Sequence, residues 1–232
     1  MRKILLYIIL FLSSIDGVRA LPIEKEGMSI YSPALKKEVS YSIILPEGYE
    51  HSDMEYPVLY MFHGIGGDYT SWLEYGNVAR IMDQMTKKGE IQPFIIVIPD
   101  GYLSYYSDTY DGSFPYETFF TKELVPYIDT NYRTRKNANA RSIAGFSMGG
   151  FGALSVSLRN HNLFGSVVAL SPSIRTEKQY IEEGPQIGWD SQWGRIFGGV
   201  GKNGNERLTS YYKQHSPYHI LSTLRNSDLK EF

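Results

Sequence analysis

The residues with the clearest chemical potential are Gly145, Ser147 and Gly149, a G-x-S-x-G run between an apolar segment and a segment suited to a helix. A serine on a sharp turn from strand to helix exposes its hydroxyl, and flanking glycines remove side chains that would collide across that turn. The following helix would direct its free N-terminal amides at negative charge that develops during acyl transfer. The run therefore predicts that Ser147 is a nucleophile.

A glycine-rich loop, His63-Gly64-Ile65-Gly66-Gly67, is the second candidate feature. It follows an apolar run, and its glycines would let the backbone turn and present an amide to the site. We expect the amides of Ile65 and Met148 to form an oxyanion hole, which binds the negatively charged oxygen of the reaction intermediate. We expect the His63 side chain to support the loop by hydrogen bonding rather than to act as the base.

The elements that must position these residues follow from hydrophobic patterning. Residues 38–45 alternate apolar and polar side chains, which predicts a half-buried strand. Short apolar runs at 57–62, 94–98, 142–146 and 166–170 predict strands covered on both faces. Apolar stripes at 78–85 and 120–128 have helical spacing, and Gly89 follows the first helix. This alternation predicts an α/β protein with a mostly parallel, doubly wound sheet.

Two segments leave alternatives open. Residues 174–205 contain seven glycines with Trp189 and Trp193, and they predict an insertion over the active edge of the sheet, either a lid or a surface excursion. The tract 102–116 is rich in Tyr, Ser and Asp, and it is either a substrate wall or a solvated loop. The glycines at 199–204 follow no apolar strand, so a dinucleotide site is not expected. No histidine cluster has metal-ligand spacing, so we expect neither a cofactor nor a metal.

The N-terminus predicts export. Arg2 and Lys3 precede nine apolar residues and a polar stretch that ends at Ala20, which is the pattern of a secretory signal peptide over residues 1–20. The apolar run is too short for a membrane span, so we expect a secreted or periplasmic protein. Cleavage after Ala20 would change the formal net charge from −2 to −4, which gives no reason to expect nucleic acid as a partner. The sequence contains no cysteine, so its stability cannot depend on disulfides.

A wider set of motifs resembles a known family. The set comprises the loop at 63–67, Pro99-Asp100-Gly101, Tyr116-Glu117, Glu123-Leu124 and the run at 145–150. Together they resemble the esterase family of α/β-hydrolases that includes S-formylglutathione hydrolase and the feruloyl and acetylxylan esterases. The resemblance covers about residues 35–219 and implies an α/β-hydrolase domain over 21–232, a Ser, Asp, His triad in that order, and no cofactor.

The triad acid and histidine are not identifiable. In the family they follow a segment that resembles residues 215–230, so we expect an esterase domain that is truncated, lacks its C-terminal strands and ends on an exposed edge strand. A substitute pair of Asp190 with His215 or His219 stays open. A triad that lacks a member retains roughly 10³ to 10⁴ of the acceleration over water.

Three functional hypotheses follow. The first is an exported serine carboxylesterase that acts on a small-molecule or polysaccharide ester, with acetyl or feruloyl groups as examples. The second is an acyltransferase, which would differ in how well it excludes water. The third is a non-catalytic carbohydrate-binding or scaffold protein that retains the fold.

Overall fold

One mixed sheet forms the centre of the protein, for which the computed structural model describes residues 22–224. Its strand order is β1-β2-β4-β3-β5-β6. The strands are β1 (Ile23–Ser32), β2 (Lys37–Leu45), β3 (Val58–Phe62), β4 (Ile95–Pro99), β5 (Arg141–Phe146) and β6 (Ser166–Leu170). β2 is antiparallel to both of its neighbours, whereas β4, β3, β5 and β6 are parallel. The predicted mostly parallel α/β sheet is confirmed.

Helices connect the strands and cover the sheet. They are α1 (Ser71–Glu74), α2 (Val78–Lys87), α3 (Tyr116–Thr118), α4 (Val125–Asn131), α5 (Met148–Arg159), α6 (Glu177–Glu182), α7 (Gln186–Trp189), α8 (Arg195–Phe197), α9 (Ser210–His215) and α10 (Pro217–Thr223). Wider π-helical stretches, Phe119–Leu124 and Asp190–Gly194, join α3 to α4 and α7 to α8. Within residues 22–224, no helix is long and apolar enough to cross a membrane.

Helices lie on both faces of the sheet, as the doubly wound prediction requires. Tyr60 on β3 belongs to the larger buried cluster, together with Phe151 from α5. The next residue on the strand, Met61, belongs to a second cluster with Met82 from α2. Because successive side chains of a strand point to opposite faces, α5 and α2 cover opposite faces of the sheet.

The predicted strands at 38–45, 57–62, 94–98, 142–146 and 166–170 are all present, with bounds that differ by at most one residue. The sequence reasoning missed β1. Charged residues alternate poorly with apolar ones at its start, and the pairing with β2 shifts register between Lys25 and Met28. Gly27 lies there with a φ of 64°, which is typical of a β-bulge. The bulge explains why the period of two was not visible.

The prediction that residues 166–170 are covered on both faces is wrong. β6 is the last strand in the order and pairs with β5 on one side. Val167, Val168 and Leu170 are 37%, 53% and 44% exposed. An apolar run predicts burial from composition alone, whereas exposure depends on the position of the strand in the sheet.

The two irregular segments are both parts of the core. Residues 174–205 contain α6, α7 and α8, and Trp189 and Trp193 are about 1% exposed, so the segment is more than a surface excursion. In the tract 102–116, Tyr105 and Tyr106 are fully buried, so neither a substrate wall nor a solvated loop describes them. Tyr106 stacks on Phe62 with 3.7 Å between ring centroids. Aromatic stacking inside the fold is the role of these two tyrosines.

Candidate active site

Ser147 occupies the turn between β5 and α5. Its backbone has φ 54° and ψ −113°, a conformation that a residue with a side chain rarely adopts. The Ser147 N–H donates to the Leu170 carbonyl at 3.0 Å. The Ser147 carbonyl accepts from the N–H groups of Phe151 and Ser173, each at 3.0 Å. The strained turn is therefore fixed on both sides, by β6 and by the first turn of α5.

Gly145 and Gly149 are needed because the turn brings backbone against backbone. A Cβ on Gly145 would lie 2.1 Å from the Gly149 carbonyl oxygen. A Cβ on Gly149 would lie 2.4 Å from the carbonyl oxygen of Phe62. Neither contact is sterically possible, and backbone atoms cannot rotate away as a side chain would. The G-x-S-x-G run thus has the geometry that the sequence predicts for it.

The glycine-rich loop after β3 lies beside this turn. β3 and β5 are neighbours in the sheet, and Phe62 pairs with Gly145, so their C-terminal ends meet. A Cβ on Gly64 would lie 3.1 Å from the Phe146 ring, and one on Gly149 would lie 2.7 Å from the His63 carbonyl oxygen. The loop that contains Ile65 therefore packs against the N-terminus of α5, where Met148 is the first helical residue. First-turn amides have no partner within their own helix, so they are available to a ligand.

The His63 ring joins two loops at the end of the sheet. Its Nδ1 donates to the Gly64 carbonyl at 2.8 Å, and its Nε2 accepts from the Gly101 N–H at 2.8 Å. The Tyr106 hydroxyl donates to the His63 carbonyl at 3.1 Å. The side chain is about 1% exposed, and both ring nitrogens are occupied. This arrangement fixes the loop at 63–67 and leaves no nitrogen to accept a proton from a serine.

A cleft of about 490 Å³ opens next to the turn at residues 145–149, which we call the elbow. Its walls come from the loop at 63–67, from α1 and from the ends of β5 and β6. The aromatic and aliphatic lining residues are Ile65, Trp72, Tyr75, Phe146 and Leu170. Ile65 and Phe146 are each about half exposed. The cleft can therefore accept an apolar group next to the Ser147 turn.

The Ser147 hydroxyl lies 3.2 Å from the Ser173 hydroxyl. Sequence reasoning did not identify Ser173. The available signal was its position, since it follows β6 by three residues and parallel strands place their ligand-binding residues just beyond their C-terminal ends. A lone serine after a strand is too common a pattern to stand out in a single sequence.

The other candidate residues have partners elsewhere. Asp190 accepts from the Gln186 side chain at 2.7 Å and from the Gly201 N–H at 3.0 Å. The His215 Nδ1 donates to the Tyr211 carbonyl at 2.7 Å, and burial lowers the pKa of His215 to about 4. His219 lies in α10, and its Nε2 is 3.0 Å from a Glu177 carboxylate oxygen. The structure does not bring Asp190 together with His215 or His219.

Comparison with known proteins is consistent with this geometry. The chain is 34% identical over 147 residues to an endo-1,4-beta-xylanase/feruloyl esterase of Xylanibacter ruminicola, which is 60% of this chain and 20% of that protein. It is 39% identical over 129 residues to an esterase of Mycobacterium tuberculosis, which is 54% of this chain and 27% of that protein. The matched parts thus span about a fifth to a quarter of these curated relatives.

A solved structure of a ferulic acid esterase superposes with a TM-score of 0.75 and 28% identity, over 91% of this chain and 75% of that one. This similarity confirms the α/β-hydrolase fold that the sequence resemblance implied. A family model described as "Putative esterase" matches residues 32–227. The chain therefore belongs to this esterase family.

Proposed function

We propose that the protein is an exported serine carboxylesterase in which Ser147 attacks the carbonyl carbon of an ester. The observation that carries the proposal is the strained Ser147 backbone, with φ 54° and ψ −113°, held between two glycines that admit no side chain. Strained backbone costs on the order of 1–3 kcal/mol and is characteristic of functional sites. The attack would form an acyl-enzyme and release the alcohol, and water would then release the acid.

The oxyanion hole in this proposal consists of the amides of Ile65 and Met148. The proximity of the two loops supports this assignment, since the chain around Gly64 contacts Phe146 and the elbow glycine contacts the His63 carbonyl. Two backbone amides directed at one point would stabilise the negatively charged oxygen of the tetrahedral intermediate. Removal of one such donor typically lowers kcat by roughly 10² to 10³.

The proposal assigns no residue to the triad acid or histidine. His63, His215 and His219 are held by Gly64, Tyr211 and Glu177, respectively. His161 lines a separate pocket with Ala138 and Phe164. A base that accepts the Ser147 proton would have to approach the hydroxyl on the side that Ser173 does not occupy.

The substrate we propose is an acetyl or feruloyl ester, either as a small molecule or on a polysaccharide. The apolar cleft beside the elbow and the similarity to proteins named feruloyl esterase support an ester with an apolar acyl group. Export, to the periplasm or the exterior, follows from the signal peptide predicted at residues 1–20, which lie outside the described residues.

Hydrolysis assays with matched variants test the proposal. We expect the purified protein to hydrolyse p-nitrophenyl acetate and methyl ferulate, and Ser147→Ala to lower both rates, because the acyl-enzyme forms only on Ser147. Ser166→Ala is the control because Ser166 is an exposed serine at the start of β6 that bonds to Ser142 instead. A fluorophosphonate probe should label Ser147 in the wild type, as located by peptide mass spectrometry. Equal rates for wild type and Ser147→Ala would refute the proposal.

A non-catalytic carbohydrate-binding protein is the second candidate. The observation that favours it is that His63, His215 and His219 have partners other than Ser147. This candidate predicts calorimetric binding of a feruloylated oligosaccharide without hydrolysis and without probe labelling at Ser147. Hydrolysis that depends on Ser147 would exclude it, and transfer of the acyl group to a sugar instead of water would identify an acyltransferase.

A further inference from the structure

Ser173 contacts the elbow through both its side chain and its backbone. Its hydroxyl lies 3.2 Å from the Ser147 hydroxyl, and its N–H donates to the Ser147 carbonyl at 3.0 Å. Leu170, three residues earlier, accepts the Ser147 N–H. The four residues 170–173 therefore curve around Ser147. Only the hydroxyl contact depends on the Ser173 side chain, so a substitution can remove it and leave the backbone bonds in place.

Tyr105, which is buried, and Gln192, which is partly buried, stand behind Ser173. Tyr105 lies near enough to Ser173 for that side chain to lower the Tyr105 pKa slightly against the larger effect of burial, and the Tyr105 hydroxyl accepts a hydrogen bond from the Gln192 amide. Tyr105 is fully buried and packs against Trp193 and Phe151, with ring centroids 4.3 Å and 5.3 Å away. Burial raises the pKa of Tyr105 well above its usual value, so its hydroxyl keeps its proton.

One order of donors is compatible with all of these contacts. Because Gln192 donates to Tyr105, the proton of Tyr105 is free to point to Ser173. A Ser173 oxygen that accepts from Tyr105 can in turn direct its own proton to the Ser147 oxygen. The Ser147 proton would then point away from Ser173, toward the open side of the turn.

We propose that Ser173 is a positioning residue for Ser147, and this inference rests on the function proposed above. Its hydroxyl, oriented by Tyr105 and Gln192, holds the Ser147 oxygen in one rotamer and leaves the Ser147 proton available to a base. A serine side chain has three staggered rotamers, and the contact with Ser173 favours one of them for the half-buried Ser147. Ser173 binds neither the ester nor the oxyanion.

Kinetics of hydroxyl-deletion variants test the inference. We expect Ser173→Ala to lower kcat on methyl ferulate about 5- to 10-fold, the worth of one hydrogen bond, with KM changed less than about 2-fold. Ser173→Thr keeps the hydroxyl and should restore kcat to within about 3-fold. Tyr105→Phe should lower kcat by a similar factor, and the double variant should be no slower than Ser173→Ala, because both residues act through one chain. Ser166→Ala, which removes another serine pair on β6, should match the wild type.

Two outcomes would overturn the inference. One is equal kcat for wild type and Ser173→Ala while Ser147→Ala is inactive, which would leave the proposed function intact. The other is independent of activity: a high-resolution crystal structure of Ser173→Ala should show the Ser147 oxygen in more than one rotamer, and a single unchanged rotamer would contradict the role. If Ser147→Ala is instead as active as the wild type, the proposed function itself is refuted.

Discussion

At the scale of single residues, the site is constrained by backbone atoms more than by side chains. Gly149 is the sharpest case, because it packs on the carbonyl groups at the end of β3 that lead into the loop at 63–67. The contact that excludes a side chain at position 149 also holds the loop at 63–67 against α5. It therefore sets the distance between the Ile65 and Met148 amides of the proposed oxyanion hole. Stability and chemistry therefore depend on the same atoms at this position.

Gly149→Ala should lower both the stability of the fold and the rate of ester hydrolysis. Its new Cβ would lie 2.4 Å from the Phe62 carbonyl oxygen and 2.7 Å from that of His63, so the loop must move away from α5. We expect the free energy of unfolding in urea to fall by about 2–3 kcal/mol. Gly188→Ala is the matched control, since nothing lies within 4 Å of that Cβ and the residue is helical. The control should be neutral or stabilised by up to about 1 kcal/mol. Equal urea midpoints for the two variants would contradict this view.

The sequence predicted Ser147, Gly145 and Gly149 because all the determinants of the turn lie within a few residues. It could not identify Ser173 or place Tyr105, since their positions depend on how β6 and the tract 102–116 fold against α5. Tyr105 and Tyr106 have φ values of 51° and 57°, which local propensity disfavours for bulky residues. Packing between segments distant in sequence overrides that preference. A single sequence does not show which distant segments will pack together.

At the scale of elements, β6 is the exposed edge next to the site. Its residues, Ser166–Leu170, include no charged side chain. Val168 and Leu170 are about half exposed, and so is Phe146 on β5. Proteins usually block such an edge with a charge, a proline or a bulge, because its free amides and carbonyls can pair with another chain. The composition of β6 predicted its strand character, but not its exposure, which depends on the strand order.

We expect the wild-type protein to associate through this edge as its concentration rises, and Val168→Lys to reduce that association. Light scattering over a concentration series measures the effect. Ile187→Lys is the control, because Ile187 is 82% exposed but lies on helix α7, where no strand can pair. If both lysine variants reduce scattering equally, added charge rather than the edge is responsible.

At the scale of the whole molecule, the C-terminal helices are joined to the elbow helix through buried polar groups. The Ser155 hydroxyl on α5 donates to the His215 carbonyl at 2.6 Å. The His215 ring stacks on Tyr211, 4.0 Å between centroids, and Arg159 lies near enough to disfavour its protonation. Glu117 binds Arg159 in the same region, and burial raises the pKa of Glu117. Protonation of His215 or Glu117 therefore affects the packing of α9 and α10 against α5.

Acid should destabilise the fold through His215. Burial, followed by the charge of Arg159, lowers the pKa of His215 from 6.5 to about 4 in the folded protein. Between these two pH values the unfolded chain binds more protons, so stability falls as the pH drops below 6.5, and the loss is complete below about 4. A shift of this size corresponds to a loss of about 3 kcal/mol. Glu117 has the opposite effect, because a raised carboxyl pKa favours the folded state as acid is added.

Comparison with His215→Gln isolates the histidine, because Glu117 is present in both proteins and a glutamine amide can still donate to the Tyr211 carbonyl. Urea unfolding at pH 7, 5.5 and 4 measures the free energy of each protein. We expect the wild type to lose stability relative to His215→Gln as the pH falls, by up to about 3 kcal/mol at pH 4. A lower stability of the variant at pH 7 does not affect the test, because the test measures how the difference in unfolding free energy between the two proteins changes with pH. A difference that stays constant from pH 7 to 4 would show that His215 is protonated as readily in the folded protein as in the unfolded chain, and that its burial does not couple the C-terminal helices to pH.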